Sequence, residues 1–113
     1  MDDEAFEVYW RTLRVAMDGA TINYSALAAQ VGLPTEWPQL GAVLGPILDR
    51  INAYERALGR PLLSAVVVRS DTGLPGASFF TMARRAGEML EGEDEQTFWR
   101  KEIARVRKTW VHT

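Results

Sequence analysis

Arginine is the residue type in this chain whose placement points most directly to chemistry. Arg50, Arg56, Arg60, Arg69, Arg84 and Arg85 fall in one middle segment, with only Glu55 and Asp71 against them. A guanidinium is a planar fork of donors that fits phosphate, so such a segment is where a polyanion would sit. The preceding part, Met1 to Asp49, carries Arg11 and Arg14 against seven acids and repels the same ligand. Reactive groups for catalysis are few. There is no cysteine, and the only histidine, His112, stands one residue from the end of the chain. Asp71 and Ser78 would offer an acid and a hydroxyl, but no histidine is near them, and turn and cap roles account for both. No glycine-rich phosphate loop, metal-ligand spacing or paired carboxylate stands out, so neither a catalytic residue nor a metal or cofactor is expected.

The elements that would position those arginines are organised around Thr21 to Leu44, which reads as a helix-turn-helix. Asn23 is the expected N-cap of a helix over 24–31, with Leu27, Ala28 and Val31 on one face. Gly32 supplies the positive φ that ends it, and Pro34 prevents continuation. A second helix over 36–44 follows, with Leu40, Val43 and Leu44 inward, and then a third over 46–58, with a break or kink at Gly45-Pro46. Gly41, Ala42 and Gly45 are small enough to let another backbone come close.

Upstream, a helix over 3–17 is expected to turn Phe6, Tyr9, Trp10, Leu13 and Met17 to the core. Downstream, Leu62 to Arg69 reads as a buried strand and Ser70 to Gly73 as a tight turn, together the start of a wing-like hairpin. Residues 77–86 suit a short helix ended by Gly87. A last helix over 95–110 places Trp99, Ile103, Val106 and Trp110 inward and Arg100, Lys101, Arg105, Arg107 and Lys108 outward. The termini are expected to pack together through Trp10 and Trp99. The fold class is therefore α+β, mainly helical: a winged helix-turn-helix-like single domain over 1–113 with extra helices.

The same features carry a resemblance. Phe6, Trp10 and Leu13, then Gly19, Thr21-Ile22-Asn23-Tyr24, Leu27-Ala28, Gly32-Leu33-Pro34 and Leu40-Gly41 resemble the DNA-binding domain of the alkylguanine-DNA alkyltransferase and alkyltransferase-like family. Pro61-Leu62-Leu63, Val66-Val67-Val68 and Gly73 look like that family's wing region. The resemblance implies a winged-helix DNA-binding fold, with Tyr24 close to a flipped nucleotide. Two family residues are missing. Ser64-Ala65-Val66 stands where the family has its Pro-Cys-His-Arg motif, and Pro38 aligns with its intercalating arginine, so alkyl transfer is not expected.

With 47% apolar and 25% charged residues among 113, the composition is that of an ordinary globular domain. No apolar run is long enough to span a membrane, and the acidic start is the reverse of a secretion signal, so a cytoplasmic location is expected. The favoured reading is a non-catalytic protein that binds double-stranded DNA mainly through phosphates, by way of Arg60, Arg69, Arg84 and Arg85 with Tyr24 near the groove. The alternative is a protein-protein interaction module that keeps the fold without the nucleic-acid surface, and there Trp37 and Leu74 would meet a protein partner.

Overall fold

The computed structural model describes residues 1–111, and His112 lies outside them. Helix α1 (Asp3–Met17) begins where the Asp2 carboxylate accepts the Ala5 amide at 2.8 Å, and Asp3 and Glu4 favour its positive end. The face it buries is not the aromatic one. Ala5, Val8, Thr12 and Ala16 are buried and Tyr9 and Leu13 half-buried, whereas Phe6, Trp10 and Met17 keep 59%, 44% and 37% of their surface in solvent. The cause is side-chain size. Alanines let α1 approach its neighbours closely, and Thr12 satisfies its hydroxyl on the Val8 carbonyl at 2.7 Å, so it enters the core without an unmet hydrogen bond.

Gly19, at φ +68°, turns the chain into β1 (Ile22–Asn23) and α2 (Tyr24–Gln30). Asn23 caps α2 by accepting the Ala26 amide at 2.8 Å. Gly32, at φ +73°, and the Leu33 amide on the Ala28 carbonyl at 2.9 Å close it with a Schellman-type turn. These local features are as the sequence predicts.

Helix α3 (Gln39–Ala57) runs unbroken through Gly45-Pro46, so the expected pair of helices over 36–44 and 46–58 is one. Pro46 removes the donor for the Ala42 carbonyl, but Ala42 is exposed and water can serve it. The buried series Leu40, Leu44, Ile47, Leu48, Ile51 continues in phase across the proline and keeps the helix against the core.

The expected strand over 62–69 is mostly something else. Leu63–Val66 form a buried 3-10 turn, and only Val67–Val68 (β2) extend, pairing in parallel with β1 through Ile22 to Val67 and Asn23 to Val68. The backbone groups here are met by side chains rather than by a ladder. Glu102 accepts the Leu62 amide at 2.8 Å, Asn52 accepts the Ser64 amide at 3.1 Å, and the Trp99 indole donates to the Ala65 carbonyl at 2.9 Å. The turn so held packs on α1, α3 and α5 and is the centre of the core.

Helix α4 (Ala77–Arg85) buries Phe79, Phe80 and Ala83, and α5 (Glu95–Trp110) buries Phe98, Glu102, Ile103 and Val106. Trp99 and Trp110 are only half-buried, and the N-terminal and C-terminal helices meet without a Trp10–Trp99 contact, since Trp10 faces solvent. The result is a mainly helical domain with a minimal parallel sheet. No helix among the described residues is long and apolar enough to cross a membrane.

Trp99→Ala should lower the unfolding free energy by about 2–4 kcal/mol, because it removes packing and leaves the Ala65 carbonyl without its donor. Denaturant unfolding reads this directly. An unchanged midpoint would show that the indole does not hold the 3-10 turn.

Candidate functional site

Where α2, the first half of α3 and the start of α4 meet, they enclose a cleft of about 580 Å³. That volume lies within the range of small-ligand sites. Asn23, by capping α2, fixes the direction of Tyr24 at the helix start. The Tyr24 hydroxyl accepts the Gly76 amide at 2.7 Å and so ties α2 to the beginning of α4. Burial raises the Tyr24 pKa, while the Gly76 bond and the nearby Arg69 charge oppose the rise, and the phenol stays neutral.

Trp37 stands edge-on to Tyr24, with ring centroids 5.8 Å apart and planes at 69°, and remains 61% exposed. Its ring lies on Gly41, where an added methyl would come within 2.5 Å of Trp37 Cζ3. Gly45, one turn along α3, has nothing within 4 Å of such a methyl, so the helix wall is bare backbone facing open space. The close approach that the small residues permit is thus made by an indole at Gly41 and left open at Gly45.

Ser64 also lines the cleft from the 3-10 turn, 4% exposed. Its Oγ accepts from Asn52 Nδ2 at 2.7 Å. An amide donor of this kind orients the hydroxyl but cannot take its proton, so Ser64 is a hydrogen-bonding group and not an activated nucleophile. The charged residues that line the cleft are Arg69, Asp71 and Asp49. Arg69 gives a two-pronged ion pair to Asp71 at 2.8 and 2.9 Å, which holds the Asp71 carboxyl below its ordinary pKa. Asp49 is pushed above its ordinary pKa by burial, with Arg85 pulling it back. Both Asp49 and Ser78 also line the neighbouring shallow hollow that contains Arg85.

Comparison of the chain with protein-family models, with curated proteins and with solved structures gave no match. Two aromatic edges, a bare helix wall, one oriented hydroxyl and the Arg69–Asp71 pair beside Asp49 suit a flat group without negative charge.

Of the residues singled out in the sequence, Tyr24 and Arg69 meet at this cleft, and Arg85 borders it through Asp49. Arg84 is exposed on α4 beside Glu95, at 3.5 Å. Arg60 is elsewhere. It pairs with the fully buried Glu55 at 2.6 Å, meets the Tyr9 hydroxyl at 3.5 Å, and lies over the rings of Tyr54 and Trp110. The bond to Glu55 raises its pKa and commits the half-buried guanidinium to that carboxylate. Asp71 and Ser78 both line the cleft, but Asp71 gives both oxygens to Arg69. Nothing local in the sequence marks Ser64 or Asp49 as site residues, and the one local signal of a close approach to α3 is the run of small residues Gly41, Ala42 and Gly45.

Proposed function

We propose that the protein is a non-catalytic, winged-helix-like DNA-binding domain whose cleft between Tyr24 and Trp37 seats an unstacked base while Arg69, Arg84 and Arg85 hold the adjoining phosphates. The cleft carries this reading. Its aromatic edges and bare helix wall favour a planar group that carries no negative charge, and bases satisfy that description and stack on aromatic rings at about 1–3 kcal/mol each. The loop between β2 and α4 supports it. The Arg69 amide on the Leu74 carbonyl at 2.8 Å and the Gly73 amide on the Arg69 carbonyl at 2.9 Å close it into a projecting turn, which takes the place of a wing. The arginines around it are exposed and paired only to exposed carboxylates, which a phosphate can replace because such pairs are weak in water. Binding of this kind is dominated by phosphates and weakly selective for sequence.

The test is an anisotropy titration at low salt with a plain duplex and with the same duplex carrying a single bulged base. The bulged duplex should bind about tenfold or more tightly, since its base is already out of the stack, and Trp37→Ala should erase that preference while leaving plain-duplex binding nearly intact. Equal affinity of the parent for both duplexes would remove the base from the cleft. Absence of binding to either would turn the reading to a protein-protein interaction module, with exposed Trp37 as the first footprint to map and Leu74, which the fold half-buries, as a lesser part of it.

A further inference from the structure

The outward side of α1 is unpartnered. Phe6, Trp10, Leu13 and Met17 recur at spacings of four, three and four, a coiled-coil seam, yet the helix turns its alanine face to the core and leaves Phe6, Trp10 and Met17 outside, with Leu13 half-buried at the seam's inner edge. The patch continues through Tyr9, which packs edge-on against Tyr54 at 5.8 Å, to Leu58 one turn further along α3. Tyr54 and Leu58 are themselves 48% and 51% exposed. At about 150–250 Å² for a whole aromatic side chain, Phe6, Trp10 and Tyr54 alone expose roughly 300 Å². That reaches the lower end of the range, about 300–600 Å², of the largest apolar patch on a typical monomer, a patch that is often functional. None of these residues lines the cleft.

We infer that a second copy of the chain covers this face, α1 against α1 in antiparallel orientation. The seam is nearly its own mirror. With a two-fold axis between the levels of Trp10 and Leu13, Trp10 of each copy meets Leu13 of the other, and Phe6 meets Met17. The charges then decide the direction. Glu7 and Arg14 sit one position past Phe6 and Leu13 on the same flank, so the antiparallel arrangement brings Glu7 of each copy, which pairs with Arg11 of its own helix at 3.0 Å in an exposed and therefore weak ion pair, beside Arg14 of the other, twice by symmetry. A parallel pairing offers no such match, because the opposite flank holds Tyr9 and Ala16. Arg14 is already held over the Trp10 ring at 5.9 Å, which places its charge at the edge of the seam. Asp3 and Glu4 at one end and Asp18 at the other keep the seam short, so the buried area is small and the dimer a weak one.

Sedimentation equilibrium of the whole chain, from micromolar to low millimolar concentration, tests this, with melting curves run in parallel. The parent should pass reversibly from monomer to dimer. Glu7→Arg or Arg14→Glu alone should weaken the dimer at least about tenfold, because each sets two like-charge contacts in the seam. The double variant should return to within about threefold of the parent. Trp10→Ser should be monomeric throughout, with its melting temperature little changed because the indole is outside the core. A parent that stays monomeric at the highest concentration overturns the inference. So does a double variant as weak as the single ones, since the pairing of Glu7 with Arg14 is what sets the orientation.

Discussion

Replacing Arg69, Arg84 and Arg85 together by alanine is expected to weaken duplex binding by about 100-fold or more at low salt, and to flatten the dependence of log affinity on log salt by about two to three units. The first figure follows from losing three charge-assisted contacts and the second from about 0.9 released counterion per phosphate contact. The arginines are the right ones to remove because each reaches solvent and none is part of the core. Arg60 is the built-in contrast. Its guanidinium is locked to Glu55, Tyr9 and Trp110, so Arg60→Ala should destabilise the fold, which heat would reveal, while leaving the salt slope of the folded protein as it was. A triple variant that binds with the parent's affinity and slope would show that phosphates are held elsewhere, or not at all.

How much of this was legible in the sequence depended on the range over which each feature is decided. The start and stop of α2 are settled within a few residues, by Asn23 accepting the Ala26 amide and by Gly32 at positive φ, and they stand where the sequence puts them. The burial of α1 is settled by what packs on it. The seam of Phe6, Trp10, Leu13 and Met17 and the series Ala5, Val8, Thr12, Ala16 are both helical in period, and only tertiary packing chose the smaller set. Pro46 reads locally as a boundary, but the buried series on either side of it is in phase, and burial outweighed one lost hydrogen bond. The apolar run from Leu62 to Val68 has strand composition, yet most of it forms a 3-10 turn because partners for its backbone arrive from α3 and α5, some 12 to 40 residues away in the chain. The site followed the same division. Tyr24 and Arg69 were visible as residue types in suggestive places, while the cleft between them required Ser64, Asp49 and the bare wall of α3 to be brought together by the fold.

The dependence of that fold on distant partners makes Asn52 the most consequential polar side chain in the core. Asn52 is 1% exposed, and its amide serves Ser64 twice, accepting the Ser64 amide at 3.1 Å and donating to Ser64 Oγ at 2.7 Å. Asn52→Ala should lower the unfolding free energy by about 3–4 kcal/mol, from an orphaned buried amide together with the cavity left behind. Denaturant unfolding monitored by the tryptophans measures it. Ser64→Ala should cost less, about 1–2 kcal/mol, because it keeps the backbone bond and leaves unpaired only the Asn52 Nδ2 donor. The two substitutions together should cost about 1 kcal/mol less than the sum of the singles, since the bond between the side chains can be lost only once. A loss below about 1 kcal/mol for Asn52→Ala would mean that the 3-10 turn does not depend on this amide. The hydroxyl at the floor of the cleft would then owe its direction to the packing of Leu63 and Val66 rather than to α3.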